Sequence, residues 1–306
     1  MKLAFAGTSD FAATILRGLI ASDHEVELVI SQPDRRRGRG RKLLKPPVAE
    51  LALATGLPLF QPDRIDQAAK EIAAQDALVV AAYGQILRAN ILYAAPFGAW
   101  NVHASLLPAY RGAAPIERAI MAGETESGVS IIRMDEGLDT GPIALQYRTP
   151  IPPEMTGGEL AQTMASLGSI AIVEVISALE KNSLTLTNQC NLNATYAPKL
   201  KDEERVIRWR EEAEKVHNLV RALTPHIGAH TFHPEIAGPI KVLRSTVLQK
   251  ESHHSVPGTI LSAKDRILVA CGEGVLDILE LQAPGRSPRS ADDFLRGRPL
   301  SGAFLS

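Results

Sequence analysis

Over the first half of the chain, short apolar runs alternate with helix-like stretches. This exchange of a two-residue for a three-to-four-residue hydrophobic period constrains the fold more than any other feature. Residues 3–6, 26–31, 77–82, 99–103, 128–134 and 143–147 read as strands, and 11–21, 47–55 and 115–122 read as helices among them. A strand that reaches its parallel neighbour through a helix is a β-α-β unit, so the chain is expected to be α/β, with a Rossmann-like, mostly parallel sheet complete before residue 150. Residues 157–181 carry Leu160, Met164, Leu167, Ile170, Val173 and Ile176 at helical spacing. They predict one long amphipathic helix packed on that sheet.

Beyond it the texture changes. Residues 182–204 are polar and irregular, ending in Lys199-Leu200-Lys201-Asp202-Glu203-Glu204, and a linker is placed at 189–206 between a first domain at 1–188 and a second at 207–306. A helix is expected at 211–223, followed by short strands at 240–243, 258–263, 267–271 and 274–281 broken by Gly and Pro. This is the pattern of a small, OB-like β-barrel. A length of 306 residues gives each domain room for its own core.

Thirty-three Lys and Arg stand against 34 Asp and Glu. That balance excludes a histone-like or acidic-tail protein, and any polyanion contact must come from local clustering. Cys190 and Cys271 form no C-x-x-C, so neither a disulfide scaffold nor a zinc ribbon is expected, and the default compartment is the reducing cytoplasm. His226, His230 and His233 sit at i, i+4 and i+7, but Gly228 interrupts them and no cysteine joins them, which argues against structural zinc. No basic leader precedes an apolar run, so neither export nor a membrane span is expected.

Three segments stand where an open α/β sheet binds ligands. Gly7-Thr8-Ser9-Asp10 follows the first strand, but it has one glycine only and no ribose-binding acid downstream, which argues against a nicotinamide cofactor. After the second strand come Arg35, Arg36, Arg37, Arg39, Arg41, Lys42 and Lys45, with Asp34 as the single acid between Pro33 and Pro47. Gly38 and Gly40, and the absence of apolar periodicity, predict a mobile loop. Seven cations beside a strand's carboxyl end favour a polyanion over plain solvation. Third, Asn101-Val102-His103 closes a strand. Alternation puts the Asn101 amide and the His103 imidazole on one side of it. The loop Asp135-Glu136-Gly137-Leu138-Asp139-Thr140-Gly141 could bring Asp139 to orient His103 and favour its charged form. No G-x-S-x-G elbow is present, and Ser105 lies in the loop after His103, so a covalent serine intermediate is disfavoured. An amide and an imidazolium aimed at one point suit a tetrahedral oxyanion, hence direct acyl transfer.

Asn101-Val102-His103, Ser105-Leu106-Leu107-Pro108, Arg111-Gly112-Ala113-Ala114-Pro115 and Asp135-x-Gly137-Leu138-Asp139-Thr140-Gly141 together resemble the 10-formyltetrahydrofolate-dependent formyltransferases. Within them, Phe5-Ala6-Gly7-Thr8, Gln32-Pro33-Asp34-Arg35, Gly38-Arg39-Gly40-Arg41-Lys42, Ala82-Tyr83-Gly84-Gln85-Ile86-Leu87 and Tyr196-Ala197-Pro198-Lys199 are similar to the branch whose acceptor is initiator methionyl-tRNA. Ser9 stands where a proline is usual, and His226-Ile227-Gly228-Ala229 lacks the usual aromatic residues. The resemblance implies Asn101, His103 and Asp139 as the catalytic trio and a folate pocket of Ser105, Leu106, Leu107, Pro108, Tyr83, Gly84, Gln85, Ile86 and Leu87. It implies tRNA contacts from Arg35, Arg36, Arg37, Arg39, Arg41 and Lys42, with no metal, no membrane and a monomeric cytoplasmic enzyme. Residues 201–306 carry 15 Lys and Arg against 14 acids, so tRNA binding there must rest on one-sided clustering. The competing readings are a formyltransferase for a small amine, which needs neither the basic segment nor a second domain, and a noncatalytic tRNA-binding module, which would not keep the trio.

Overall fold

A computed structural model describes residues 1–37, 42–249, 254–297 and 299–306. Two compact units make up the chain: Met1–Pro115, Ser127–Thr149 and Ala161–Ala197 form one, and Ile116–Glu126, Pro150–Leu160 and Pro198–Ser306 the other.

The first unit opens with β1 (Lys2–Gly7), five of whose six residues are buried, and turns at once into α1 (Asp10–Ile20). The Ser9 side chain caps α1 by accepting from the Ala12 amide, and a Cβ on Gly7 would lie 2.7 Å from that of Ala12, so glycine is what lets strand and helix approach. β2 (Glu25–Ile30) follows. Then β3 (Arg35–Arg37) pairs antiparallel with β4 (Lys42–Leu44), setting Arg36 opposite Leu43. The basic segment expected to be a mobile loop therefore begins and ends as a two-stranded ribbon; Gly38, Arg39, Gly40 and Arg41 lie outside the described residues. Extended pairing suits a run of like charges, because successive side chains point to opposite faces. Pro47 begins α2 (Pro47–Thr55), where its missing N–H costs nothing, and the left-handed Gly56 ends it.

β5 (Leu59–Phe60), α3 (Ala69–Ala73), the fully buried β6 (Ala77–Ala81), α4 (Ala89–Leu92), β7 (Ala99–His103), β8 (Arg111–Gly112), α5 (Pro115–Met121), β9 (Glu126–Arg133) and β10 (Ile143–Pro150) continue the chain. The main sheet runs β10-β9-β7-β6-β1-β2-β5; the pairs from β7 to β5 are parallel, and β7 meets β9 antiparallel. Chain order reverses across β1 and β6. In open α/β sheets ligands sit outside the carboxyl ends of the strands near that reversal.

α6 (Gly157–Glu180) is long and apolar enough to cross a membrane by length and composition. Here its apolar stripe is partly spent on the sheet: Met164, Ile172, Val175 and Ile176 are buried, and Gly168 lies so close to Val102 that a Cβ would clash. Ile170, expected on that stripe, is 59% exposed. Gly168 marks a close approach to β7, and the buried face turns toward Ala171, Ile172 and Val175. Because Val102 of β7 faces α6, the alternate residues Asn101 and His103 point to the opposite side of the sheet. After α6, residues 189–206 hold a 3₁₀ turn at Asn191–Asn193, β11 (Tyr196–Ala197) paired parallel to β8, and a second 3₁₀ turn at Asp202–Arg205.

The second unit contains α7 (Ala213–Leu223), β12 (Ala229–His233), β13 (Ile236–Gln249), β14 (Ile260–Ala263), β15 (Ile267–Ala270), β16 (Val275–Gln282), β17 (Arg289–Ser290) and α8 (Ala291–Gly297). Its sheet runs β12-β13-β16-β15-β14, antiparallel throughout. Leu305 bridges to Phe232 and Ala303 to Thr259, so one short segment pairs beside both β12 and β14. The sheet is barrel-like, with these bridges beside its two outer strands. Trp209 stacks on Phe304 at 5.7 Å and donates to the Thr231 hydroxyl, at the centre of a core with Ile240, Val269 and Ile278. Each such buried aliphatic side chain contributes about 1.5–3 kcal/mol. Among the sequence expectations, β12 was missing: His230 and His233, read at helical spacing, lie on a strand that pairs with β13 through a bulge.

Candidate active site

Three side chains expected to act together do meet at the carboxyl end of β7. The Asn101 amide donates to Asp139 Oδ1 at 3.4 Å, and Nδ1 of His103 lies 3.6 Å from Asp139 Oδ2. His103 is 5% exposed, so the imidazole and the carboxylate face one another with little water between them to screen them. Nε2 of His103 lies 2.9 Å from the Tyr110 carbonyl. A carbonyl only accepts, so Nε2 carries the hydrogen and Nδ1 is the nitrogen that faces Asp139.

Asp139 is held on every side. The Gly112 amide donates to Oδ2 at 2.8 Å, and Gly112 can offer it because φ is +121° there and a Cβ would stand 2.8 Å from the Ala197 carbonyl. Asp139 itself is left-handed, φ +52°, and so is Tyr110, φ +59°. Non-glycine residues in that region cluster at sites where surrounding bonds over-determine them. In the same loop Asp135 accepts from the Gly137 amide and the Thr140 hydroxyl.

The nine residues expected around folate fall at adjacent strand ends, 83–87 after β6 and 105–108 after β7, but they divide in role. Gly84, Ile86, Leu106 and Pro108 offer accessible surface, Ile86 being 90% exposed. Tyr83, Leu87, Ser105 and Leu107 are buried supports. The Tyr83 carbonyl accepts from Thr8 and Gln32, and burial pushes its phenol up to about 12. The Gln85 side chain is engaged with the Ile65 amide and Asp63 carbonyl. The Ser105 hydroxyl donates to the Ala109 carbonyl at 2.6 Å with no exposure, which leaves it no part as a nucleophile. Ser130 bridges the Ser105 carbonyl and the Leu107 amide, fixing the loop after β7.

Of the expected tRNA contacts, Arg35, Arg36 and Arg37 lie on β3 and Lys42 on β4; Arg39 and Arg41 lie outside the described residues. Arg35 donates to Gln32, and Lys45 pairs with Asp34 at 3.6 Å. Tyr110, Arg111 and Gly112 stand in the segment after β7 without a local signal of what they hold. Gln189 and Asn191 carry no signal either, since nothing in a polar stretch announces that its side chains reach back 50 or 80 positions.

An alpha/beta sheet with an amide, an imidazole and a carboxylate together at its carboxyl edge, where the neighbouring Ser105 hydroxyl is buried and engaged, suits a group-transfer site. The chain belongs to the formyl transferase family: the formyl transferase model matches residues 1–176, and the model of the formyl transferase C-terminal domain matches 199–299. It is similar to the methionyl-tRNA formyltransferase of Rubrobacter xylanophilus, 59% identical over 304 residues and covering 99% of each chain. It is also similar to the methionyl-tRNA formyltransferase of Symbiobacterium thermophilum, 43% identical over 97% of this chain and 92% of that one. In fold it is similar to an N-formyltransferase from Helicobacter canadensis solved with folinic acid and dTDP-3-aminofucose, with a TM-score of 0.67 and 20% identity, covering 91% of this chain and 98% of that one.

Proposed function

We propose that this chain transfers the formyl group of 10-formyltetrahydrofolate to the α-amino group of methionine on initiator methionyl-tRNA. The observation that carries the reading is the meeting of Asn101, His103 and Asp139 at one strand end, in a chain alike over its whole length to methionyl-tRNA formyltransferases. The uncharged amine attacks the formyl carbon, the carbonyl becomes an oxyanion, the bond from carbon to the folate nitrogen breaks, and the proton lost by the amine balances the one that nitrogen gains. One Asn101 N–H is engaged by Asp139, which leaves the second for the oxyanion. His103 contributes through Nδ1: protonated, it carries an N–H and a positive charge beside the developing negative one, while Tyr110 and Asp139 fix the plane of the ring. Asp139 takes up or relays the amine proton. Gly84, Ile86, Leu106 and Pro108 give the flat folate an apolar slot, and the basic segment that holds Arg35, Arg36, Arg37, Arg39, Arg41 and Lys42 meets tRNA phosphate.

In this reading residues 1–188 are the catalytic domain, 189–206 the connection and 207–306 the tRNA-binding domain of a monomeric cytoplasmic enzyme that needs no metal. The test is formylation by the purified protein with 10-formyltetrahydrofolate and, in parallel, charged initiator tRNA and a small free amine. Transfer to the charged tRNA alone supports the reading. Equal transfer to the free amine moves the chain to the small-amine class.

A further inference from the structure

Two observations near the site have no part in the mechanism above. Arg111 is a buried cation, 2% exposed, yet no carboxylate pairs with it among the described residues; its Nε and one Nη donate to Gln189 Oε1 at 3.1 and 2.8 Å, and that Nη also donates to Asn191 Oδ1. A buried guanidinium normally seeks a carboxylate. Gln189, for its part, uses its whole amide: Nε2 donates to the Asp139 carbonyl at 2.8 Å and to the Gly141 carbonyl at 2.7 Å. One neutral side chain thus joins the buried cation to the backbone of the left-handed Asp139 turn.

The segment that carries Gln189 is itself fixed on both sides. Thr187 and Ile143 exchange both backbone hydrogen bonds before it. After it, Thr195 accepts from Tyr110 and Arg111, and the Ala197 carbonyl accepts from Ala113. Gln189 therefore arrives at the turn from an anchored strap, able to hold the turn rather than follow it. Only an amide serves here. It offers two donors to two carbonyls and an acceptor to Arg111, where a carboxylate has no donor to offer and an apolar side chain has neither.

We infer that Gln189 is a positioning residue of the transfer reaction: it locks the Asp139 turn so that the carboxylate faces His103 Nδ1, and it satisfies Arg111 so that Asp139 is left to Asn101, His103 and Gly112. This rests on the proposed roles of His103 and Asp139. Displacing a catalytic group by about 1 Å costs up to about 10²-fold, so the expected effect lies in turnover.

The test is a cycle of Gln189→Glu, Asp139→Asn and the double variant, with kcat and KM for both substrates and Tm for each protein. Gln189→Glu keeps the size and the acceptor toward Arg111 and removes both donors. It is expected to lower kcat at least about 10-fold with both KM values within about twofold. Because Gln189 acts through Asp139, the double variant is expected to be no slower than Asp139→Asn alone. Should Gln189→Glu lose its fold, Gln189→Leu supplies the uncharged counterpart with the same expected split. A kcat within twofold of wild type, or losses that multiply in the double variant, overturns the inference. An inactive wild type, or an Asp139→Asn variant as fast as wild type, overturns instead the reading on which it rests, and the two failures are read from separate proteins of the set.

Discussion

His103 of the first unit and His233 of the second are equally hidden, 5% and 3% exposed, and each donates from Nε2 to a backbone carbonyl, of Tyr110 and Ser301 respectively. They differ at the other nitrogen. His233 Nδ1 accepts from the Glu235 amide at 3.3 Å, and its ring packs edge-on against Phe304, so both nitrogens are used. His217 likewise has both nitrogens engaged, Ser245 on Nδ1 and the Pro153 carbonyl on Nε2, although Glu154 lies 3.9 Å from that Nε2. His103 Nδ1 instead faces a carboxylate at 3.6 Å, and no hydrogen-bond donor reaches it among the described residues. Burial and hydrogen bonding therefore do not separate a structural histidine from a functional one. The valence left open toward a charge does.

The comparison breaks or sharpens most at the partners of that open nitrogen. Asn101→Ala and Asp139→Asn are each expected to lower kcat by about 10²–10³ while leaving tRNA affinity and Tm close to wild type, because each removes a contact that strengthens in the transition state. Steady-state kinetics with a tRNA binding titration checks this, and near-normal turnover in either variant removes that residue from the mechanism.

A smaller effect is expected at a buried charge with a structural task. Asp277 is buried on β16, and Arg266 is its ion-pair partner. Arg266→Ala strands the carboxylate and is expected to cost about 2–3 kcal/mol of stability, read by denaturant titration, with kcat at saturating tRNA unchanged. Loss of turnover without loss of stability would contradict the division drawn here.

Next is the basic ribbon. Replacing Arg39 and Lys42 by Ala is expected to weaken binding of charged tRNA and to flatten log affinity against log salt by roughly 0.7–0.9 per lost phosphate contact, with folate binding unaffected. An unchanged slope makes the ribbon ordinary solvated surface.

The smallest effect concerns pH. Arg118 donates two hydrogen bonds to Glu204 and holds its carboxyl at about 2, below the ordinary 4.5. A depressed carboxylate stabilises the fold above its unfolded value and loses that contribution as pH falls from about 4.5 toward 2. Glu204 is partly exposed and screened, so Arg118→Ala is expected to cost about 1 kcal/mol at neutral pH, a difference that disappears at the acid end of the stability curve.

Much of this was legible in short-range chemistry. Pro47 and Gly56 announce the ends of α2, Ser9 caps α1, and alternation along β7 put Asn101 and His103 together. Motif spacing then supplied Asp139. What was not legible depends on long-range partners. Gln189 is one polar residue in a polar segment until the fold brings it under Asp139 and beside Arg111. Ile170 fits the apolar period of α6, but Gly168 lies against Val102 of β7 and the buried face falls on Ala171, Ile172 and Val175 instead. β12 was hidden because His230 and His233 match a helical spacing, and because the strand's buried face carries Ala229, Thr231 and His233 rather than an apolar run, while Phe232 stands on the other face.

The most direct test sets the two histidines against each other. His103→Ala and His233→Ala are made in the same protein, and each is assayed for single-turnover transfer from 10-formyltetrahydrofolate to charged initiator tRNA and for Tm. The account predicts a transfer rate lower by about 10²–10³ with little change in Tm for His103→Ala, and a Tm several degrees lower with transfer within about threefold of wild type, measured well below melting, for His233→Ala. Equal losses of rate in the two variants, or a His103→Ala protein that transfers formyl at the wild-type rate, would contradict it.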